Sequence, residues 1–112
     1  MNGKVYLIGA GPGDYGLITL KGLQLIETAD VLVYDRLINE NLIYRTPAHC
    51  EKIYVGKQAA NHAMPQDQIN ETLYQKALLG KTVVRLKGGD PYVFGRGGEE
   101  GIYLIERGIP VE

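Results

Sequence analysis

The stretch VVRLKGGDPYVFGRGGEE, Val83 to Glu100, runs from apolar residues into glycine and charge. Five of the chain's fifteen glycines fall within it, beside Lys87, Asp90, Arg96 and the pair Glu99 and Glu100. With Thr82 in front, TVVRL reads as a buried strand, and a helix is expected from about Glu99 to Arg107 with Gly108 as its C-cap. Strand, glycine-rich loop and helix in succession form the repeating step of an α/β fold.

The same step recurs on the N-terminal side. KVYLIGAGPGD opens with an apolar run, Val5 to Ile8, that breaks into glycines. Thr19 is placed to cap a helix whose apolar positions, Leu20, Leu23 and Ile26 with Leu25 beside them, recur at helical spacing. DVLVYD gives a second strand, Val31 to Tyr34, too continuous to be covered on one face only. NENLIY predicts a short helix and CEKIYVG a third strand. After the polar loop KQAANHAM, Pro65 suits a first helical turn and Asp67 lies near the positive end of the helix dipole. Ile69, Leu73 and Ala77 share one face of that helix, and Gly80 ends it. The fold class is therefore α/β, a parallel-type sheet flanked by helices, in a single domain over residues 1–112. Ile109 to Glu112 reads as the start of a further strand, so a longer protein is expected.

Composition narrows the function. An apolar content of 45% in 112 residues supports one modest core. A net charge of −1 offers no basic field for nucleic acid, and VVRLKGGD carries only two cations. The single cysteine, Cys50, can form neither an internal disulfide nor a zinc site and reads as a buried, inert thiol. No apolar run has the length of a membrane span, no signal peptide precedes the first strand, and no metal-ligand spacing is present, so the cytoplasm is expected.

In parallel sheets ligands bind beyond the carboxyl ends of the strands. The loops GAGPGD and KGGDP follow strand ends, as do Asp35 and Lys57. GAGPGD fits a dinucleotide fingerprint poorly: Asp14 stands where the third glycine belongs, and Pro12 removes a backbone donor. Asp35, ending the second strand, does resemble a ribose-binding acid. KGGDP, Lys87 to Pro91, reads equally as backbone in close approach to a ligand and as a turn closed by Asp-Pro. His62 reads as an exposed loop residue.

Three stretches together, VYLIGAGPGDYGLITLKGLQLIETADVLVYDRL, VGKQAANHAMPQDQIN and VVRLKGGDPYVFGRGGEE, resemble the uroporphyrinogen-III C-methyltransferases of the tetrapyrrole (corrin/porphyrin) methylase superfamily. The likeness covers almost the whole chain. Tyr15 replaces an often-seen proline, Gln58 stands where arginine is usual, and Tyr92 replaces phenylalanine. The resemblance implies the N-terminal domain of a two-domain enzyme, a homodimer as a rule, with the active site between the domains. It implies methylation of two pyrrole rings of uroporphyrinogen III by S-adenosyl-L-methionine, giving dihydrosirohydrochlorin (precorrin-2) for siroheme and cobalamin. By matching position, Pro12, Gly88, Gly89, Asp90 and Val93 line the methyl-donor site. Asp35 matches the proposed proton acceptor and Lys57 the proposed donor, while Arg96 and Glu99 match positions implicated in holding the tetrapyrrole. The substrate's rim of carboxylates suits arginine forks, which adds Arg36 to Arg96 as a binding candidate. Against these roles stand bland ones: surface solubility for the arginines, a pairing or capping role for Asp35, and a helix start for Glu99 and Glu100. Another methylase of the superfamily and a non-catalytic nucleotide-binding module are the rival functions.

Overall fold

The structure, a computed structural model, describes residues 3–9, 20–35, 40–56, 65–87 and 97–112. In chain order they form β1 (Lys4–Gly9), α1 (Leu20–Glu27), β2 (Val31–Tyr34), a 3-10 helix (Glu40–Arg45), β3 (Glu51–Tyr54), α2 (Gln66–Leu78), β4 (Thr82–Lys87) and α3 (Gly97–Glu106). The strands make one sheet in the order β1-β4-β2-β3, and every pairing is parallel. Beyond β1, Val111 bridges to Val5 in the parallel sense, as expected of an incoming strand.

Both faces of the sheet are covered, which is why the strand sequences are continuous apolar runs. Val5, Leu7, Val31, Val33, Val55 and Val83 point to one face, where they pack with Ile69, Leu73 and Ala77 of α2 and Leu104 of α3. Ile8, Leu32, Val84 and Leu86 point to the other, against Ile26, Leu23 and Leu25 of α1 and Ile43 of the 3-10 helix. The strand period of two thus sorts each run between two core clusters. Cys50 is buried in the second cluster, and burial pushes its thiol up, as an inert thiol requires.

Two helix boundaries differ slightly from the sequence expectation. Pro65 is the N-cap of α2 rather than part of its first turn; its ψ of 147° is extended, and its carbonyl accepts from the Ile69 N–H at 3.1 Å. Helix α3 begins at Gly97, two residues ahead of Glu99, where first-turn N–H groups have no partner within the helix in any case. Its end is as expected. Gly108 has a φ of 79°, its N–H donates to Ile105 O, and the Ile109 N–H donates to Leu104 O, both at 3.0 Å. This is a Schellman closure, sealed by contact between two buried side chains, Leu104 and Ile109. The expected cap Thr19 lies outside the described residues.

Asp30 gathers three strands at the amino end of the sheet. Its N–H donates to Thr82 O, its carbonyl accepts the Glu51 N–H, and its carboxylate accepts the Thr82 N–H, each at 2.9 Å. The Thr82 N–H first, and His49 at 3.0 Å second, hold this carboxyl below its ordinary value of 3.8. A lowered folded value adds stability that is present above the unfolded pKa and lost as pH falls through the folded one. Asp30→Asn is therefore expected to lower stability at neutral pH by roughly 1 kcal/mol, a figure reduced for solvent screening of a side chain that is 39% exposed. Urea unfolding of both proteins at neutral pH, and again well below pH 3.8, checks this: the gap should narrow in acid. An equal gap at both would remove the carboxylate from the explanation.

Candidate functional site at the carboxyl rim of the sheet

The topology selects one part of the rim. The helix after β1 packs on one face of the sheet, and the helix after β4 packs on the other. Strands β1 and β4 are neighbours, paired to their ends at Gly9 and Lys87. Neighbouring strands followed by helices on opposite faces mark the carboxyl-end position where a parallel sheet is expected to bind a ligand. The 3-10 helix that follows β2 lies on the α1 face, so the same switch recurs between β4 and β2. Strand β4 is common to both pairs, and in sequence its last residue, Lys87, opens KGGDP.

Beneath that rim, on the face covered by α2 and α3, the core changes from apolar to charged. On β4 the residues directed to this face are Val83, then Arg85, then Lys87. On β2 they are Val31 and Val33, and Asp35 follows immediately after the strand beside Arg85. Arg85 is buried and engaged on three sides. Its Nε lies 3.2 Å from Glu100 Oε2, its Nη1 donates to Leu86 O at 3.1 Å, and its Nη2 lies 3.6 Å from Asp35 Oδ2. Glu100, in the first turn of α3, has no exposed surface. Gln66 of α2 donates to the same Oε2 at 3.0 Å and to Asn70 Oδ1 at 2.9 Å, which joins the second helix to the group. Lys87 Nζ stands 3.5 Å from Glu100 Oε1, an ion pair but not a hydrogen bond. Two cations and two carboxylates thus balance at the carboxyl end of the sheet. Asp35 is the carboxylate nearest solvent, with its side chain 33% exposed.

Among the sequence-predicted residues, Asp35 is brought into this group. It lies in an ion pair with Arg85. Pro12, Arg36, Lys57, Gly88, Gly89, Asp90, Val93 and Arg96 lie outside the described residues, as do Asp14 and His62. Glu99 is the third residue of α3, and its side chain is likewise outside them. Sequence reading missed Arg85, Glu100, Gln66 and Asn70. The signal for Arg85 was present, because an arginine inside a strand covered on both faces must find a counter-charge. Glu100 precedes the buried Leu104 by one helical repeat and so shares its inward face.

The sequence profile of the tetrapyrrole (corrin/porphyrin) methylases matches residues 4–112. The chain belongs to this family. Siroheme synthase 2 of Serratia proteamaculans is 58% identical over 108 residues, which are 96% of this methylase chain and 23% of that protein. Siroheme synthase of Enterobacter sp. (strain 638) is 54% identical over the same length, covering 24% of its own chain. Among solved structures, a uroporphyrin-III C-methyl transferase from Thermus thermophilus complexed with S-adenyl homocysteine superposes with a TM-score of 0.80 at 49% identity, over 98% of this chain and 43% of that one. A cobalt precorrin-4 methyltransferase of cobalamin biosynthesis gives a TM-score of 0.81 at 36% identity, over 97% and 44%. The methylase chain thus spans about a quarter of the siroheme synthases and under half of these solved enzymes.

The pairing of Arg85 with Glu100 has an energetic consequence. Glu100→Leu is expected to cost about 3–5 kcal/mol, because it leaves a buried guanidinium without its main counter-charge. Changing Arg85→Met at the same time should recover much of that loss, since an apolar pair of similar volume replaces the charges. Urea unfolding of both single variants and the double variant measures it. A double variant that loses the full sum of the single losses would show that the two side chains do not share their energy.

Proposed function

We propose that this chain is the N-terminal α/β domain of a uroporphyrinogen-III C-methyltransferase, acting in siroheme and cobalamin synthesis. The observation that carries the reading is the 49% identity, over 98% of the chain, to a uroporphyrin-III methyltransferase holding S-adenyl homocysteine. The lower identity to the precorrin-4 enzyme, 36%, favours uroporphyrinogen III over a later ring substrate. The likeness to siroheme synthases supports the same assignment. Uroporphyrinogen III, a C-terminal domain and a second copy of the protein are then its partners, and the cytoplasm its compartment. Among the described residues no helix is long and apolar enough to cross a membrane.

The rim suits this chemistry. In sequence β4 is followed by Gly88 and Gly89, glycines that would let backbone approach a ligand closely, and by Asp90. With Pro12 and Val93, these residues would hold the donor. S-adenosyl-L-methionine supplies an electrophilic methyl group on a sulfonium. The chain has to align the reacting atoms and exclude water, which is mainly a matter of proximity. Arg36, Arg96 and Glu99 would hold the tetrapyrrole, the arginines by forked contacts to its carboxylates. Asp35 would take the proton lost as the ring system rearranges, and Lys57 would return one. The place of Asp35, just after β2 and part-exposed, supports a base that meets substrate.

Three outcomes are expected. Full-length protein incubated with uroporphyrinogen III and labelled S-adenosyl-L-methionine should move label into tetrapyrrole, whereas the 112-residue chain should not, since half a cleft leaves the donor in water. Turnover by the isolated chain near the full-length rate would overturn the two-domain reading. Asp35→Asn in the full-length protein should lower turnover by about 10²–10⁴-fold with donor binding largely kept. Normal turnover would show that Asp35 is not the base. Gly89→Val should abolish S-adenosylhomocysteine binding while circular dichroism stays normal, because a β-branched side chain blocks close backbone approach. Unchanged affinity would refute that packing role.

A further inference from the structure

Lys87 is the last residue of β4, and it is a cation whose bonding is not used up. Its ammonium carries N–H donors only and no acceptor. Among the described residues its one charged contact is Glu100 Oε1 at 3.5 Å, and that contact is not a hydrogen bond. The same carboxylate is already engaged through Oε2, by Arg85 Nε at 3.2 Å and by Gln66 at 3.0 Å. Glu100 therefore places Lys87 without satisfying it. The side chain is 12% exposed, and the residue stands at the end of the sheet where ligands bind. Its partner across the ladder is Gly9 of β1, which has no side chain. Gly88 and Gly89 follow it in sequence. A ligand at this end meets no competing side chain from those three positions.

We propose that Lys87 binds a ligand carboxylate, that of the amino-acid end of the methyl donor. The inference rests on the proposed function. An ammonium short of acceptors takes a carboxylate through charge-assisted hydrogen bonds, which are shorter and stronger than neutral ones. Two ligands could offer one: the donor, at its amino-acid end, and the tetrapyrrole, at its rim. Charge decides between them. Arg85 and Lys87 are already balanced by Glu100 and Asp35. The amino-acid end brings a carboxylate together with an ammonium and leaves that balance unchanged. A rim carboxylate would bring an unmatched negative charge toward the buried Glu100. Position agrees, since the glycines proposed to meet the donor follow Lys87 directly.

The test is calorimetric titration of the full-length protein with S-adenosylhomocysteine and with its decarboxylated analogue, which lacks only the carboxylate. Lys87→Met keeps the stem and removes the ammonium. Lys87→Gln serves in its place if that protein does not fold. The substitution should weaken S-adenosylhomocysteine binding by about 10–100-fold. Binding of the decarboxylated analogue should change by less than about threefold. Equal losses for both ligands overturn the inference, since a distorted site does not read the carboxylate. Unchanged affinity for both also overturns it. A raised KM for uroporphyrinogen III, with S-adenosylhomocysteine binding intact, overturns the donor assignment and gives the contact to the tetrapyrrole. Failure of the wild-type protein to bind S-adenosylhomocysteine is a separate result: it removes the proposed function, and this inference with it.

Discussion

The buried guanidinium of Arg85 is the constraint around which the upper half of this fold is arranged. It sits on a strand with neighbours on both sides, in a sheet covered on both faces, and an arginine does not escape burial by losing its proton. A carboxylate has to be brought to it. Glu100 does so from the first turn of α3, where the helix dipole favours negative charge. The spare hydrogen-bonding capacity of that carboxylate draws in Gln66 at the start of α2. One buried charge therefore locates the first turns of two helices against the carboxyl end of the sheet.

The apolar core does the opposite job at the opposite end. Leu73, Ala77, Leu104 and Ile109 pack on the sheet through non-directional burial, which fixes distance more than angle. The polar group beneath the rim adds direction. Its members lie at the carboxyl ends of β4 and β2, the end at which parallel sheets bind ligands, so rigidity is placed where a ligand would have to be aligned. The same design explains the sequence of β4. Val83 and Val84 bury into both core clusters, Arg85 and Lys87 carry the charges, and glycine follows at once.

Much of this could be read in the sequence, for local reasons. The four strands and the face Ile69, Leu73 and Ala77 of α2 follow from periodicity, and Gly80 and Gly108 mark helix ends through their positive φ. Asp35 could be expected at the end of a strand because it follows an apolar run. Strand order was not, since parallel strands joined by long crossovers leave no local mark of who neighbours whom. For the same reason Arg85 could be seen to need a partner but not which one. Glu100 lies fifteen positions away and Gln66 is thirty-four positions from Glu100. Sequence reading weighed Glu99 as a substrate ligand, whereas the helix turns the adjacent Glu100 inward.

The central claim is that the proposed site at the carboxyl end of β4 takes a methyl donor rather than a dinucleotide. Calorimetric titration of the full-length protein with S-adenosylhomocysteine and, in parallel, with NAD tests it most directly. The account predicts saturable binding of S-adenosylhomocysteine and no measurable binding of NAD at the same concentrations. Preference for NAD would contradict it, and would return Asp35 to the role of a ribose-binding acid.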